Sequence, residues 1–164
     1  MYMFQVMMVL CRLHGSPLRF IKLNSDATFD YKRGVVGIAV VARDDRGNLV
    51  DSCSRVVPAS SPLVAEALAL LDATIFASSK KFLNCIFETD CLVLANSFIV
   101  GASIFSEIDP IISAILDKFK ALGSHSVVHI SRTCNQAADW VASTTLSGSL
   151  GNRNIVVKRG KESK

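Results

Sequence analysis

Residues 21–28 read IKLNSDAT. Apolar and polar residues alternate through this stretch, which predicts a β-strand over residues 20–29 with one face in the core. Near its end the stretch carries Asp26, with a small residue on each side. A carboxylate on a buried sheet is costly unless a cation lies against it. We therefore expect Asp26 to be one of several carboxylates that together hold metal ions.

The pattern of the following residues predicts a single α/β domain. Residues 44–48, DDRGN, are typical of a hairpin turn, so three antiparallel strands should form the first half. Ser60, Ser61 and Pro62 suit the start of a helix, because a hydroxyl fits the N-cap and proline fits the first turn. The predicted order is βββαβααβα, with strands at 20–29, 34–44, 49–57, 82–89 and 125–132 and helices at 63–78, 91–100, 107–122 and 135–147.

The composition is that of a folded protein, since half of the 164 residues are hydrophobic and a fifth are charged. The formal charge of +4 lies at one end: residues 1–152 are balanced, whereas residues 153–164 carry five cations and one acid. We therefore divide the chain into an N-terminal extension (1–19), one domain (20–148) and a basic C-terminal tail (149–164). The tail could contact phosphates or could be a solvated, disordered end.

The apolar start, MYMFQVMMVLC, is too short to span a bilayer and lacks the features of a secretory signal. It could be a strand-like extension, part of a longer protein or an artefact of the chosen start. The five cysteines are an odd number and form no CxxC pair. This pattern favours an intracellular, reducing compartment, nuclear or cytoplasmic, and no metal–thiolate site. We expect no membrane association and no obligate protein partner.

Four acidic residues occur where a carboxylate is unexpected: Asp26 on the first strand, Glu66 in an apolar helix, Asp90 after the fourth strand and Asp139 in the last helix. Three of them have ordinary explanations. Asp90 could cap the next helix, Asp26 could accept hydrogen bonds from turn amides, and Asp139 could face solvent. Glu66 is harder to explain, because no lysine or arginine occurs within residues 56–79. Four such acids on separate elements predict a shared site.

A cluster of this kind suits magnesium, a hard cation that takes oxygen ligands from carboxylates, water and substrate phosphate. Two ions ~4 Å apart can activate a water and stabilise the departing oxygen in phosphodiester cleavage. Their charge would compensate the mutual repulsion of the four carboxylates. Without metal, that repulsion and burial should raise the pKa of at least one carboxylate.

Five motifs resemble the ribonuclease H type 1 domain, in particular the reverse-transcriptase-like branch common in plant genomes. They occur in the family's order and read KLNSDAT, VVARDDRGNLV, SSPLVAEALAL, FETDCLVL and HISRTCNQAADWVA. The resemblance implies a ribonuclease H-like fold, with a five-stranded mixed sheet of order 3-2-1-4-5 and helices on both faces. It also implies cleavage of RNA in RNA–DNA hybrids with two Mg²⁺ ions, for which Mn²⁺ can substitute. The catalytic, metal-binding carboxylates implied by the family are Asp26, Glu66, Asp90 and Asp139.

The chain also departs from the family's pattern. The first strand is often followed by Asp-Gly in the family, and here the pair is Asp26-Ala27. Residues 131–134 replace a longer, histidine-bearing loop of bacterial relatives, and His129 is not assigned the role of that histidine. The asparagines that bacterial relatives use to read the RNA 2′-hydroxyl are not matched. Our candidate substrate-binding residues are Ser60, Ser61, Arg132 and Asn135. The two serines could contact the 2′-hydroxyl weakly, but helix capping is the simpler explanation for them. Arg132 could approach a phosphate or could equally be a solvated arginine.

The sequence therefore favours a metal-dependent endonuclease that hydrolyses the RNA strand of RNA–DNA hybrids. The alternative is a catalytically weak or inactive nucleic-acid-binding module derived from a retroelement. A third possibility is a gene fragment with no stable role. The presence of all four carboxylates argues against complete decay, because neutral drift would have no reason to spare every one of them.

Overall fold

The alternating stretches of the sequence form strands, and the capped apolar stretches form helices. The structure is a computed structural model that describes residues 20–100 and 105–148, so the predicted N-terminal extension and basic tail lie outside the described residues. The strands are β1 (Ile21–Asp30), β2 (Val35–Arg43), β3 (Leu49–Pro58), β4 (Asn84–Thr89) and β5 (Ser124–His129). The α-helices are α1 (Pro62–Ser79), α2 (Leu92–Val100), α3 (Asp109–Phe119) and α4 (Gln136–Leu146), and a 3-10 turn (Arg132–Cys134) precedes α4.

The strands form one sheet in the order β3-β2-β1-β4-β5, as predicted. β1 and β3 each pair antiparallel with β2, whereas β4 runs parallel to β1 and β5 runs parallel to β4. The hairpin between β2 and β3 turns at Asp44, whose carboxylate accepts hydrogen bonds from the backbone N–H groups of Arg46 (2.9 Å) and Asn48 (2.8 Å). Gly47 has a φ of +84°, a conformation that favours glycine. The predicted mixed sheet and its hairpin are therefore confirmed.

Helices cover both faces of the sheet. Successive side chains of a strand point to opposite faces, so the strands place apolar side chains on each face for a helix to cover. On one face pack α1, α2 and α3, and Leu70 of α1 and Phe87 of β4 belong to the main hydrophobic cluster there. On the other face packs α4, where Ala142 contacts the cluster that includes Ala39 of β2. The predicted arrangement of helices on both faces is confirmed.

The core helix α1 begins as its sequence predicted. Ser61 is the N-cap, and its Oγ accepts a hydrogen bond from the N–H of Val64 (3.2 Å), while Pro62 lies in the first turn. The helix is long and apolar enough to suit a membrane span by length and composition. Its buried side chains instead pack on the sheet, with Leu70 and Ala73 in the main hydrophobic cluster. This packing fixes the helix that carries Glu66.

Two strand boundaries differ from the prediction by two residues or more, and so do both ends of α3, which was predicted at 107–122 and is observed at Asp109–Phe119. β4 begins at Asn84 rather than at Phe82, because the chain is still leaving α1 and the N–H of Phe82 donates to the carbonyl oxygen of Ala77 (3.0 Å). β5 ends at His129 rather than at Arg132, because the chain bends into the 3-10 turn before α4. Arg132 therefore lies in the connection between β5 and α4.

The helix α4 approaches the sheet closely at Gly37 of β2. A Cβ atom at this position would collide with the backbone oxygen of Ala142 and would lie 2.8 Å from Cβ of Leu146. Only a residue without a side chain fits between the strand and the helix backbone. Because α4 also carries Asp139, this contact sets how closely that acid lies to the sheet.

We predict that Gly37→Ala lowers the free energy of unfolding by roughly 3 kcal/mol, because the overlapping atom is backbone that cannot move aside alone. Urea unfolding followed by circular dichroism measures the change. Gly47→Ala is the matched control: its Cβ would meet no atom within 4 Å, so only the positive φ costs energy, about 1 kcal/mol. Equal effects of the two substitutions would contradict the close packing at Gly37.

Candidate metal centre

Three carboxylates that are distant in the chain meet beside the end of β4. Asp26 lies on β1, Glu66 lies on α1, and Asp90 directly follows β4. One oxygen of each lies within 4.8 Å of the others, a spacing at which the three could hold a metal ion. Asp26 is 5% exposed, and the other two are half-buried. The structure thus brings together three of the four predicted carboxylates.

The strand register explains why Asp26 and Asp90 meet. β1 and β4 run parallel, and their pairing ends at Asn24 and Glu88. Each acid lies two residues further along the chain than that last pair. Because strand side chains alternate with a period of two residues, β1 directs Asp26 to the same face as Asn24. Glu66 reaches the same place from the second turn of α1.

The negative charge of this cluster is poorly compensated. Burial, followed by the charges of Asp90 and Asp139, raises the pKa of Asp26 to about 7. Burial, followed by the charges of Asp26 and Asp90, raises the pKa of Glu66 to about 9. The Oε2 atom of Glu66 is buried and has no hydrogen-bond partner among the described residues. A bound cation would supply the missing partner and favour the ionised carboxylates.

Asp139 joins the cluster from the first turn of α4. Its charge and a hydrogen bond between its carboxyl group and that of Asp26 both contribute to the raised pKa of Asp26. An oxygen of Asp139 also lies 3.9 Å from Nη2 of Arg132, and its side chain is 42% exposed. Asp139 therefore lies at the rim of the site, beside the three carboxylates that could hold one ion.

The four predicted substrate-binding residues lie in different environments. Asn135 is 1% exposed and makes its hydrogen bonds within the protein. Ser61 caps α1 and donates a hydrogen bond to Oε2 of Glu107 (3.2 Å). Ser60 is exposed, and the side chain of Arg132 is 81% exposed. Substrate contacts by these four residues stay predictions. Asn135 is buried, so its side chain contacts the carboxylate site from inside the protein.

A second polar cluster, which the sequence analysis did not predict, lies on the same side of the sheet. Asn24 donates hydrogen bonds to Oε2 of Glu88 (2.9 Å) and to Oδ1 of Asn135 (3.2 Å). Glu88 is 8% exposed and lies 3.5 Å from Nζ of Lys22 and 3.6 Å from Nη2 of Arg43. The feature that could have indicated this cluster is Asn24 itself, a polar residue on a strand that helices cover on both faces. Its partner Glu88 could not be identified from the spacing of residues, because Glu88 lies 64 residues further along the chain than Asn24.

Two clefts lie away from the carboxylates. A cleft of about 590 Å³ between β3 and α1 contains the ion pairs Lys80–Asp51 (2.6 Å) and Arg55–Asp72 (2.6 Å). A groove of about 390 Å³ between the β2–β3 hairpin and α4 is bordered by Trp140, which is 62% exposed. Neither is lined by a carboxylate of the cluster. The candidate site is therefore defined by its charge rather than by its depth.

The fold is that of type 1 ribonucleases H. The structure resembles RNase H1 from the halophilic archaeon Halobacterium salinarum NRC-1 with a TM-score of 0.69 and 20% identity, over 78% of this chain and 98% of that chain. It resembles LC11-RNase H1, solved in complex with an RNA/DNA hybrid, with a TM-score of 0.68 and 19% identity, over 81% and 99% of the two chains. For the N-terminal RNase H domain of Rv2228c from Mycobacterium tuberculosis the TM-score is 0.70 and the identity 12%, over 80% and 96%.

Residues 24–145 match the reverse transcriptase-like family. The chain therefore belongs to this family, and the resemblance of its motifs to reverse-transcriptase-like ribonuclease H domains is confirmed. The matched range contains the three clustered carboxylates and Asp139. No protein in a search of curated sequences matches this chain.

We predict that the metal-free protein loses stability as the pH rises. The ordinary pKa values are 3.8 for Asp26 and 4.5 for Glu66, whereas the folded values are about 7 and about 9. Between these limits the native state binds more protons than the unfolded chain, so the free energy of unfolding should fall as the pH rises from about 4 to about 9. Urea unfolding in EDTA at a series of pH values measures this dependence.

Glu66→Gln should flatten this pH dependence, because it removes the carboxylate with the higher pKa. It should also raise the free energy of unfolding near pH 8 by more than about 1 kcal/mol, since one pKa unit is worth ~1.4 kcal/mol. Asp45→Asn, at the exposed tip of the hairpin, is the control and should leave the slope as it is in the wild type. A wild-type slope in Glu66→Gln would argue against an uncompensated carboxylate at this position.

Proposed function

We propose that this protein is a metal-dependent endonuclease that hydrolyses the RNA strand of RNA–DNA hybrids. The observation that carries the proposal is the meeting of Asp26, Glu66 and Asp90 within 4.8 Å, around a buried Glu66 oxygen that has no partner among the described residues. The ribonuclease H fold and the membership in the reverse transcriptase-like family support it. The hybrid complex of LC11-RNase H1 supports an RNA–DNA hybrid as the ligand.

The donor set fits a hard divalent cation. All ligand atoms of the group are carboxylate oxygens, which suit Mg²⁺ and Mn²⁺. We infer two Mg²⁺ ions, with Mn²⁺ as a substitute; Asp26 and Asp90 would be shared by both ions, Glu66 would complete one site, and Asp139 would complete the other. Bound divalent cations supply an activated water and stabilise the departing oxygen in phosphodiester hydrolysis.

The side chains around the carboxylates would orient the substrate. Asp139 at the rim would accept a proton from the attacking water, since its side chain is 42% exposed and its charge acts on Asp26. Arg132 would contact a substrate phosphate, because its guanidinium group lies beside Asp139 and projects into solvent. Ser60, exposed before α1, would meet a 2′-hydroxyl of the RNA strand. The protein would then recognise the shape of the hybrid rather than its sequence.

The alternative is a module that binds the hybrid and cleaves it weakly or not at all. The short connection between β5 and α4 favours this alternative, because the turn Arg132–Cys134 stands where bacterial relatives carry a longer loop with a histidine. His129 is the last residue of β5 and is exposed. It pairs with Thr89, the residue that precedes Asp90 in the chain. Any help from a histidine in this region would have to come from the strand itself.

We predict that the wild-type protein cleaves the RNA strand of a labelled hybrid when Mg²⁺ or Mn²⁺ is present, and that EDTA abolishes the cleavage. Asp90→Asn should lower the cleavage rate by about 100-fold, because it removes a charged ligand while it keeps the size of the side chain. Denaturing gel electrophoresis of the labelled RNA measures the rate. Asp45→Asn, far along the hairpin, should cleave at the wild-type rate.

Fluorescence anisotropy of the same hybrid separates the two functions. Binding without cleavage by the wild type at saturating cation would identify the protein as the binding module. Cleavage by Asp90→Asn at the wild-type rate would exclude the metal site at this position.

A further inference from the structure

We propose that Arg43, at the end of β2, is a remote positioning residue for Asp26 and acts through two buried amides, those of Asn24 and Asn135. We call these three residues, Arg43, Asn24 and Asn135, the amide relay. The proposal rests on the proposed function, because it assigns to the relay the task of orienting a carboxylate for cation binding.

A continuous series of hydrogen bonds joins Arg43 to Asp26. The guanidinium of Arg43 donates to Oδ1 of Asn24 from Nη2 (2.6 Å) and from Nε (3.2 Å). Nδ2 of Asn24 donates to Oδ1 of Asn135 (3.2 Å). Nδ2 of Asn135 in turn donates to Oδ1 of Asp26 (3.3 Å) and to the carbonyl oxygen of Ser25 (2.9 Å). Every contact therefore runs in one direction, from donor to acceptor, toward the carboxylate.

The chemistry at the outer end of the relay sets this direction. Arg43 can only donate, so it selects the oxygen of the Asn24 amide. Glu88 can only accept when ionised, and it takes a hydrogen bond from the nitrogen of the same amide (2.9 Å). With Asn24 held in this way, Asn135 must present its oxygen to Asn24 and its N–H groups to Asp26. The guanidinium of Arg43, which can only donate hydrogen bonds, thus ensures that Asn135 directs an N–H group to Asp26.

Burial makes this orientation strong. Asn24 and Asn135 are each 1% exposed, so water does not offer their amides other partners. A buried polar group that loses its partner costs about 1–3 kcal/mol, which opposes rotation of either amide. The side chain of Arg43 is 30% exposed, so the relay connects the edge of the protein to the carboxylate cluster. Cation ligands held by such partners typically lose 10–100-fold in affinity when the partner is removed.

The relay also accounts for motif residues that the carboxylate site leaves without a role. KLNSDAT supplies Asn24 as well as Asp26, and HISRTCNQAADWVA supplies Asn135 as well as Asp139. The hairpin motif VVARDDRGNLV supplies no carboxylate of the cluster, but it supplies Arg43. The relay therefore connects the hairpin, through β1, to the candidate metal centre.

Two substitutions test the relay at different points. Asn24→Leu interrupts it in the core at similar size, and Arg43→Met removes its outer donor at the surface. We expect each to weaken Mn²⁺ binding by about 10-fold or more, measured by isothermal titration calorimetry, with a matching fall in hybrid cleavage at low cation. Arg43→Lys keeps a donor-only cation and should recover most of the affinity. Arg55→Met, which removes the ion pair between Arg55 on β3 and Asp72 on α1, is the control and should bind Mn²⁺ like the wild type.

The double variant tests whether Arg43 acts through Asn24. If it does, Asn24→Leu with Arg43→Met should bind Mn²⁺ about as weakly as Asn24→Leu alone, because the relay is already interrupted. Independent effects that multiply would overturn the relay. Urea unfolding without cation is measured for each variant, and lower stability with wild-type Mn²⁺ affinity would show a purely structural role and overturn the proposal. If Asn24→Leu does not fold, Arg43→Met and its lysine rescue decide the question.

The same titrations distinguish the relay from the proposed function. Mn²⁺ binding by the wild type with equal affinity in Arg43→Met would exclude the relay and leave the metal centre in place. An absence of Mn²⁺ binding by the wild type would exclude both.

Discussion

Asp26, Glu66 and Asp90 repel one another beside the end of β4, and burial removes much of the water that would screen the repulsion. The rest of the domain has to hold these side chains together against that force. Each comes from a different element, and each element is fixed by apolar packing elsewhere along its length. Leu70, one turn after Glu66 on α1, is fully buried in the main hydrophobic cluster. The hydrophobic core thus maintains a site that is favourable in its ionised form when a cation is bound.

Local patterns in the sequence were sufficient to predict most of the fold. The alternation around Asp26, the hairpin turn at Asp44 and the capping residues before α1 act within a few residues, so each could be interpreted without knowledge of the tertiary structure. The four acids could also be selected, because each is unusual in its own segment. The sequence could not show which oxygens meet, or that Asp139 lies at the rim, because these depend on the packing of α1 and α4 against the sheet.

Two features that the sequence did not reveal depend on partners far away in the chain. In the sequence Asn24 is one polar residue of an alternating strand, and its contacts with Glu88 and Arg43 depend on the tertiary structure. Contact of Asn135 with the substrate stays a prediction, and the structure adds that its amide is buried and donates a hydrogen bond to Asp26. The end of β5 was predicted three residues too late, because no glycine or proline marks the point at which the chain bends into the turn Arg132–Cys134.

Among the described helices, α4 alone packs on its face of the sheet, and its contact at Gly37 leaves no space for a side chain. It is also the last described element of the chain. During synthesis, therefore, β1, α1 and β4 can leave the ribosome and bring Asp26, Glu66 and Asp90 together while the opposite face of the sheet is still bare. The nascent domain would be both apolar on that face and short of Asp139. Arrival of α4 would cover this face and complete the acidic set in one event, so a chain that is not yet fully folded would lack the complete set of four carboxylates.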